Sequence, residues 1–216
     1  TNPKKFSFGL KDDSYNLLTA NKDNVFEGKS PIIDLQEIAL AGKHNISNIL
    51  AAATTAKILN VTNNQISMAI SNFSGIEHRL EKVVINNGVA YYNDSKATNI
   101  ESVIAAIQSF SSSIILILGG KDKDNNFHEL IPFIKENVKK IISYGQASNK
   151  ISIALRDAVE LDQVFSLRDA VELCQKSAAP GDTILLSPGC ASFDQFKNYE
   201  ERGNEFKRLV NEMAQA

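Results

Sequence analysis

The sequence is poor in several residues that mark specialised classes of protein. Its 216 residues include two cysteines, two methionines and no tryptophan. Cys174 and Cys190 lack the close spacing of a metal or redox motif, and two cysteines cannot build a disulfide framework, so we expect a reducing, cytoplasmic setting. The sequence contains no apolar run near the roughly 18 residues of a spanning helix and no visible signal peptide, so we expect no membrane partner.

The sequence also has no strong excess of positive or of negative charge. The formal net charge is −2 and the pI about 5.9. Nucleic-acid binding requires a basic face, so we expect no nucleic-acid partner. What is present is a 43% hydrophobic fraction, which suits a sizeable core in one large or two small domains. We expect a monomer, and a first residue that is Thr rather than Met leads us to expect part of a longer protein.

The first part of the chain combines short strands with two helices. Residues 1–40 contain four β runs separated by turn residues, which predict a hairpin region too small for a core of its own. These runs cover residues 5–10, 15–20, 25–28 and 32–38. Helices are predicted over 44–59 and 63–72, the second with Thr62 as a possible cap and with Gly75 ending it.

From residue 80 onward, strand-like and helical runs alternate with short loops. The predicted strands are 81–86, 89–93, 114–118, 140–144, 163–166 and 183–187, and the predicted helices are 99–110, 127–138, 148–156, 168–178 and 200–213. This β-α-β order predicts an α/β, Rossmann-like domain with a mostly parallel six-stranded sheet. The Asn-Gly turn at 86–88 is a hairpin signal that allows one antiparallel strand.

In such sheets, ligands bind beyond the carboxyl ends of the strands, and residues 89–107 show a pattern suited to such a site. A short strand breaks into the turn 93–98 and continues as a helix with Thr98-x-x-Glu101 as a capping box. Free backbone N–H groups at a helix start attract anions, and Lys96 beside that positive end is unfavourable unless an anion is bound. The alternative is a solvated turn that only caps the helix.

Two further loops at the same edge are unusual. Residues 119–124 (GGKDKD) follow the most apolar strand, with glycines for close approach and lysines for a carboxylate or phosphate. The alternative is a plain turn with solvated lysines. Residues 187–193 (SPGCASF) are small and almost uncharged, and Ser192 offers a donor for a carboxylate. A Ser or Cys nucleophile is disfavoured because G-x-S-x-G is absent and no suitable His lies nearby.

Other motifs carry less weight. Residues 28–30 (GKS) lack the first glycine of a phosphate loop and precede a β run, so we interpret them as a turn. G-x-G-x-x-G is absent, and the three histidines have no metal-ligand spacing. Asn45 and Asn48 share one helix face, where they can cap the helix or contact a base edge.

Taken together, the motifs resemble the Mur ligases, and within that family the members that add D-glutamate. The segments that carry the resemblance are 42–48 (GKHNISN), 75–81 (GIEHRLE), 94–99 (DSKATN), 118–123 (LGGKDK), 186–196 (LSPGCASFDQF) and 198–206 (NYEERGNEF). The resemblance implies that residues 1–76 are the last part of a central α/β ATPase domain and that residues 77–216 are the amino-acid-binding ligase domain. We expect the phosphate loop and most Mg²⁺ ligands upstream of this chain, which should then be inactive alone.

The resemblance implies ATP-dependent addition of D-glutamate to UDP-N-acetylmuramoyl-L-alanine through an acyl phosphate. It assigns three sets of residues. The expected D-glutamate contacts are Thr98, Lys123, Ser192 and Tyr199. The expected ATP contacts are Asn45 and Asn48 at adenine, Arg79 at phosphate and Asp94 at ribose. Lys96 and Arg79 are the expected catalytic cations. No metal ligand is assigned within the chain.

The sequence departs from the family pattern at Tyr199, where we expect Phe, and at Gly189 and Lys121. Two alternatives stay open. One is a Mur-type or folylpolyglutamate-type ligase for another amino acid. The other is a non-catalytic ligand-binding α/β domain of the response-receiver type, which requires clustered acids where this sequence has lysines.

Overall fold

The protein is described here from a computed structural model, which covers residues 5–10, 16–21, 23–35, 38, 43–73 and 75–215. The chain divides into two compact units, Thr1–Gly75 and Ile76–Ala216. Among the described residues, no helix is both long and apolar enough to cross a membrane. The two units are built on separate sheets.

The small unit contains a four-stranded sheet in the order β1-β2-β3-β4. Its strands are β1 (Ser7–Gly9), β2 (Asn16–Ala20), β3 (Asn24–Glu27) and β4 (Ser30–Asp34). The predicted hairpins are confirmed for β2–β3 and β3–β4, whereas β1 pairs parallel with β2 and the hairpin expected there is wrong. Alternating sequence specifies a strand but not the direction of its neighbour. Predicted strand residues 15, 36 and 37 lie outside the described residues.

Two helices complete the core of the small unit, α1 (Lys43–Ile58) and α2 (Asn63–Ser71). Leu18, Val25 and Ile33 from the sheet share one buried cluster with apolar side chains of both helices, so the strands do not need a core of their own. The predicted Thr62 cap is confirmed, with Gln65 completing a capping box. α2 ends well before Gly75, because Asn72 already occupies its C-cap position.

The large unit is a six-stranded α/β domain. Its elements are β5 (Glu81–Asn86), β6 (Val89–Asn93), α3 (Ile100–Ile107), β7 (Ile114–Gly119), a 3₁₀ turn (Phe127–Leu130), α4 (Ile131–Asn137), β8 (Val138–Tyr144), α5 (Ser148–Leu155), β9 (Glu160–Val164), α6 (Leu167–Ser177), β10 (Thr183–Gly189) and α7 (Tyr199–Gln215). The strand order is β5-β6-β10-β7-β8-β9, with β5 antiparallel and the other strands parallel. The predicted fold class is confirmed.

Helices cover both faces of this sheet, which explains the continuous apolar strands. In β7, Leu116 and Leu118 face the cluster formed with α3, α4 and α5, while Ile115 and Ile117 face the cluster formed with α6 and α7. All six residues of β7 are buried. A strand covered on both faces has no solvent side and shows no alternation.

Some predicted boundaries are wrong. The helix expected over 127–138 is a 3₁₀ turn followed by α4, and β8 begins directly at Val138. The strand expected over 163–166 ends at Val164, because Ser166 already acts as the N-cap of α6 through a capping box with Asp169. The local hydrogen bonds between Ser166 and Asp169 therefore end the strand earlier than the apolar pattern predicts.

Candidate functional site

Three loops follow neighbouring strands at the carboxyl edge of the six-stranded sheet, and we call them the rim: residues 94–99 after β6, 120–126 after β7 and 190–198 after β10. Backbone hydrogen bonds join the loops. Lys121 N donates to Ala191 O at 2.8 Å and Ala191 N donates to Lys121 O at 3.0 Å, while Gly189 N donates to Ala97 O at 2.9 Å. The sequence expectation that these loops share one edge is therefore confirmed by the strand order.

Two glycines at the end of β7 allow close approach of neighbouring backbone, Gly119 to the end of β8 and Gly120 to the third rim loop. Gly119 and Gly120 have φ angles of +141° and +123°. A Cβ atom on Gly119 would lie 2.0 Å from Tyr144 O, and one on Gly120 would lie 2.3 Å from Ala191 O. The glycines predicted to admit a ligand thus also admit neighbouring backbone, and a side chain on Gly120 would separate two rim loops.

Asp94 is the first residue of the first rim loop and is only 5% exposed. Its Oδ2 accepts a hydrogen bond from Ser187 Oγ at 2.8 Å, and its Oδ1 accepts one from Leu80 N at 3.2 Å. Burial raises the pKa of Asp94 to about 7, against the opposing hydrogen bonds and the charge of Arg79. Asp94 therefore connects the linker before β5 to β10, and its expected ribose contact stays a prediction.

The α3 helix begins one residue later than expected. Asn99, not Thr98, is the N-cap, and its side chain accepts from Ser102 N at 2.9 Å. Glu101 then occupies the second helical position, from which the predicted capping box cannot form. Thr98 is half-buried, and its hydroxyl makes no hydrogen bond within the described part of the chain. Asn99 therefore caps the helix, and Thr98 does not.

The lysines of the rim carry no neutralising acid. Lys96, Lys121 and Lys123 are exposed. Within the described ranges none of them forms an ion pair. The Lys96 ammonium instead donates to the hydroxyl of Tyr199 at 3.1 Å, and its backbone N–H donates to His78 O at 3.1 Å. These three lysines are thus available to an anionic ligand, although the same loops also carry Asp122, Asp124 and Asp194.

Ser192 lies at the base of the third rim loop. It is 2% exposed, and its carbonyl accepts hydrogen bonds from Gln195 N and Phe196 N at 3.2 and 2.9 Å. Cys190, two residues earlier, is buried, and burial raises the pKa of its thiol to about 12. A thiol held neutral in this way is a poor nucleophile at neutral pH. The sequence-based preference against a Cys nucleophile therefore has physical support.

Sequence reasoning missed Arg202, which lies directly under the rim and is fully buried. Its guanidinium donates to Ser95 Oγ at 2.9 Å, to Ser95 O at 2.8 Å and to Cys190 O at 3.0 Å. One side chain of α7 therefore holds two rim loops. The available signal was its spacing from Phe206 and Leu209, since an arginine four and seven residues before apolar positions lies on the buried face of a helix.

Arg79 belongs to the linker that precedes β5. It is exposed and lies between two residues with positive φ, His78 at 63° and Leu80 at 47°. His78 is buried, and its Nδ1 lies 2.9 Å from Asn93 Nδ2, which donates to it. Burial is the main cause that lowers the pKa of His78. The neighbours of Arg79 are therefore fixed to the large unit although its own side chain is in solvent.

The remaining predicted nucleotide contacts lie in the small unit. Asn48 Nδ2 donates to Asn45 Oδ1 at 3.2 Å near the start of α1. The two amides therefore bind each other across one helical turn, as their spacing predicts. Their contact with adenine stays a prediction.

The resemblance implies a magnesium ion, and one cluster in the described residues has to be considered for it. Glu77, His78 and Glu81 are the one group there of three or more acidic, histidine or cysteine side chains whose ligand atoms lie within 4.8 Å of one another. The Lys207 ammonium forms ion pairs with both glutamates, at 3.2 Å from Glu81. A cation already neutralises these acids, so the group does not fit a second one.

The fold and the rim define an α/β domain that presents unpaired lysines and hydroxyls at the carboxyl edge of a parallel sheet. A family model described as the Mur ligase glutamate ligase domain matches residues 78–190. The chain belongs to the Mur ligase family, and the resemblance inferred from its motifs is confirmed.

Individual relatives agree with this assignment. The chain is 40% identical over 203 residues to a UDP-N-acetylmuramoylalanine–D-glutamate ligase of Salinibacter ruber, covering 94% of this chain and 43% of that protein. It is 47% identical over 180 residues to the ligase of the same name from Acidobacterium capsulatum, covering 83% of this chain and 39% of that protein. The chain thus spans less than half the length of these curated relatives.

Solved structures share the fold. A MurF structure from Acinetobacter baumannii superposes with a TM-score of 0.67 at 14% sequence identity, covering 99% of this chain and 53% of that chain. At this level of identity the similarity concerns the fold alone.

Proposed function

We propose that this chain supplies the amino-acid-binding part of an ATP-dependent ligase that adds D-glutamate to UDP-N-acetylmuramoyl-L-alanine. The names of the relatives at 40% and 47% identity support the proposal. The structural observation that carries it is the rim, where Lys96 and Lys123 form no ion pair within the described residues while hydroxyl groups lie on the adjoining loops.

D-Glutamate carries two carboxylates, and the rim offers donors suited to both. We propose that Lys123, Thr98 and Ser192 bind them, one from each of three loops joined by backbone hydrogen bonds. Hydrogen bonds between a carboxylate and a charged donor are stronger than neutral ones, so a lysine with hydroxyl donors beside it is an effective arrangement. The aromatic ring of Tyr199 borders the same region through its contact with Lys96.

The nucleotide is proposed to contact a second set of residues. Asn45 and Asn48 provide amide groups for adenine, Asp94 a carboxylate for ribose, and Arg79 a guanidinium for phosphate. Lys96 adds positive charge where the phosphoryl group is transferred. An arginine that is exposed on a fixed backbone, as Arg79 is, can reach a phosphate without carrying the rest of the linker with it.

The proposed reaction forms an amide in two steps. The substrate carboxylate attacks the terminal phosphoryl group of ATP, giving an acyl phosphate and ADP. The amine of D-glutamate then attacks the acyl carbon, and the tetrahedral intermediate expels phosphate. The contribution of this chain is to hold both carboxylates so that the amine points at the acyl carbon, because catalysis of this kind rests on positioning and charge stabilisation.

The test is an ATP-dependent ligation assay on the whole protein at the length of its relatives. ADP release and amide product are measured with UDP-N-acetylmuramoyl-L-alanine and either D-glutamate, L-glutamate or L-lysine. We expect product only with D-glutamate. Product with L-lysine at a comparable rate would assign the chain to a ligase for another amino acid, and ligand binding without any product would favour a non-catalytic domain.

A further inference from the structure

Tyr199 holds the side chain of Lys96 in a defined place. Tyr199 is the first residue of α7, and its hydroxyl accepts a hydrogen bond from Lys96 Nζ at 3.1 Å. The same ammonium lies 4.7 Å from the centroid of the Tyr199 ring. The ammonium therefore meets both the hydroxyl and the π-system of one residue, two contacts that favour the same position of the lysine.

The tyrosine itself is fixed on two sides. Its carbonyl accepts a hydrogen bond from Ser95 Oγ at 2.7 Å. Its ring meets the ring of His78 edge to face, with centroids 6.0 Å apart and an interplanar angle of 83°. A residue anchored to the rim loop through its backbone and to the linker through its ring can act as a rigid support.

Lys96 needs such a support because its own side chain is long and exposed. Its backbone is fixed by the hydrogen bond to His78 O. Its ammonium has no ion pair within the described part of the chain, where its side-chain contacts are those with Tyr199. Ordering a free lysine side chain costs conformational entropy, so a lysine already held near its working position binds an anion at lower entropic cost.

We infer that the Tyr199 hydroxyl is a positioning group for Lys96: it holds the ammonium at the rim, and its effect on ligation passes through that lysine. The inference rests on the proposed function for its kinetic consequences. It concerns the hydroxyl alone, because the contact between the ammonium and the Tyr199 ring does not depend on that hydroxyl. Tyr199→Phe removes only the hydroxyl and keeps the ring.

A double-mutant cycle tests this inference in the whole protein, with kcat/KM for D-glutamate as the readout. Tyr199→Phe should lower kcat/KM about fivefold, the size expected for an exposed hydrogen bond to a charged group. In a Lys96→Met background the same change should have less than a twofold effect, because the group it positions is gone. An equal loss in both backgrounds would overturn the inference and place the hydroxyl directly on the substrate.

Lys121→Met provides the matched background. Lys121 is also an exposed rim lysine, but no contact joins its side chain to Tyr199 within the described residues. Tyr199→Phe should therefore retain its full fivefold effect beside Lys121→Met. Loss of the effect in this background too would indicate a general disturbance of the rim and would contradict a specific role through Lys96.

A second measurement does not depend on ligase activity. In the 216-residue chain, ¹³C relaxation at the lysine Cε atoms reports side-chain order for each residue. Tyr199→Phe should increase the mobility of Lys96 and leave Lys139 unchanged. Unchanged Lys96 mobility would overturn the positioning role even in an active enzyme, while increased mobility in a protein without D-glutamate ligase activity would contradict the proposed function alone.

Discussion

The lysines at the two ends of the six-stranded sheet differ in whether they pair with acidic side chains. At the amino ends of the strands, Lys139 pairs with Asp182 at 2.8 Å, and Lys140 pairs with Glu160 and Asp162 at 2.7 Å each. At the carboxyl ends, Asp122 of the rim pairs with Lys150 at 2.6 Å, but Lys96, Lys121 and Lys123 form no ion pair within the described ranges. Lysines paired with acids are already neutralised, whereas unpaired lysines at one edge create a field for an anion. This difference is one reason why we propose the rim as the binding end.

The two ends also use glycine differently. Gly120 at the rim and Gly181 before β10 both have positive φ, at +123° and +96°. A Cβ atom on Gly120 would clash with Ala191 O at 2.3 Å, whereas no atom lies within 4 Å of a Cβ on Gly181. Gly181 is thus needed only for its positive φ angle, whereas Gly120 also allows two rim loops to approach each other closely.

The largest effect on stability is expected from Arg202→Met. The methionine keeps much of the buried aliphatic volume but leaves the acceptors on Ser95 and Cys190 without their donor. We expect the free energy of unfolding, measured by urea denaturation, to fall by roughly 3 kcal/mol.

Arg208→Met is the matched control on the same helix. Arg208 forms ion pairs with Glu205 and Glu212 at the surface, where such pairs contribute little. Its loss should therefore be much smaller than that of Arg202→Met. Equal losses would show that the buried guanidinium does not hold the rim.

Gly120→Ala should have the next largest effect. Both Gly120→Ala and Gly181→Ala introduce left-handed backbone strain of about 1 kcal/mol. Gly120→Ala also separates the Lys121–Ala191 bridge, so we expect about 2 kcal/mol in total from the same denaturation experiment. If Gly181→Ala is equally destabilising, close packing is not what distinguishes the rim glycine.

The smallest effect concerns His78, whose pKa is lowered mainly by burial. The unfolded chain binds a proton at this residue below about pH 6.5, whereas the folded protein does not until lower pH, so stability contributed by neutral His78 is lost as pH falls below that value. His78→Asn suits the positive φ and does not titrate. The difference in free energy of unfolding between parent and variant should not depend on pH above about 7.5, and it should increasingly favour the variant below about pH 6.5. A difference that is constant from pH 5 to 9 would contradict a buried neutral His78.

Local signals predicted much of this fold. The Asn-Gly hairpin forms at Asn87 and Gly88, both with positive φ, and joins the antiparallel pair β5–β6. The continuous apolar run of β7 becomes a strand covered on both faces. In each case, the residues that decide the structure are neighbours in sequence.

The features that were missed depend on partners distant in sequence. Arg202 binds Ser95 across 107 positions, so only its place on an apolar helix face signals it. The cap of α3 shifted because two adjacent residues, Thr98 and Asn99, both make good caps. The parallel pairing of β1 and β2 follows from chain direction, which side-chain alternation does not encode.

The central claim is that the rim, and not the opposite edge, binds D-glutamate. Its most direct test is the KM for D-glutamate in the whole protein for two lysine variants, Lys123→Ala and Lys139→Ala. The first should raise KM or lower kcat/KM by several tens of fold, on the order of 2–3 kcal/mol for a lost charged hydrogen bond, and the second should stay within about twofold of the parent. Unchanged kinetics for Lys123→Ala, or equal losses for both variants, would contradict the account.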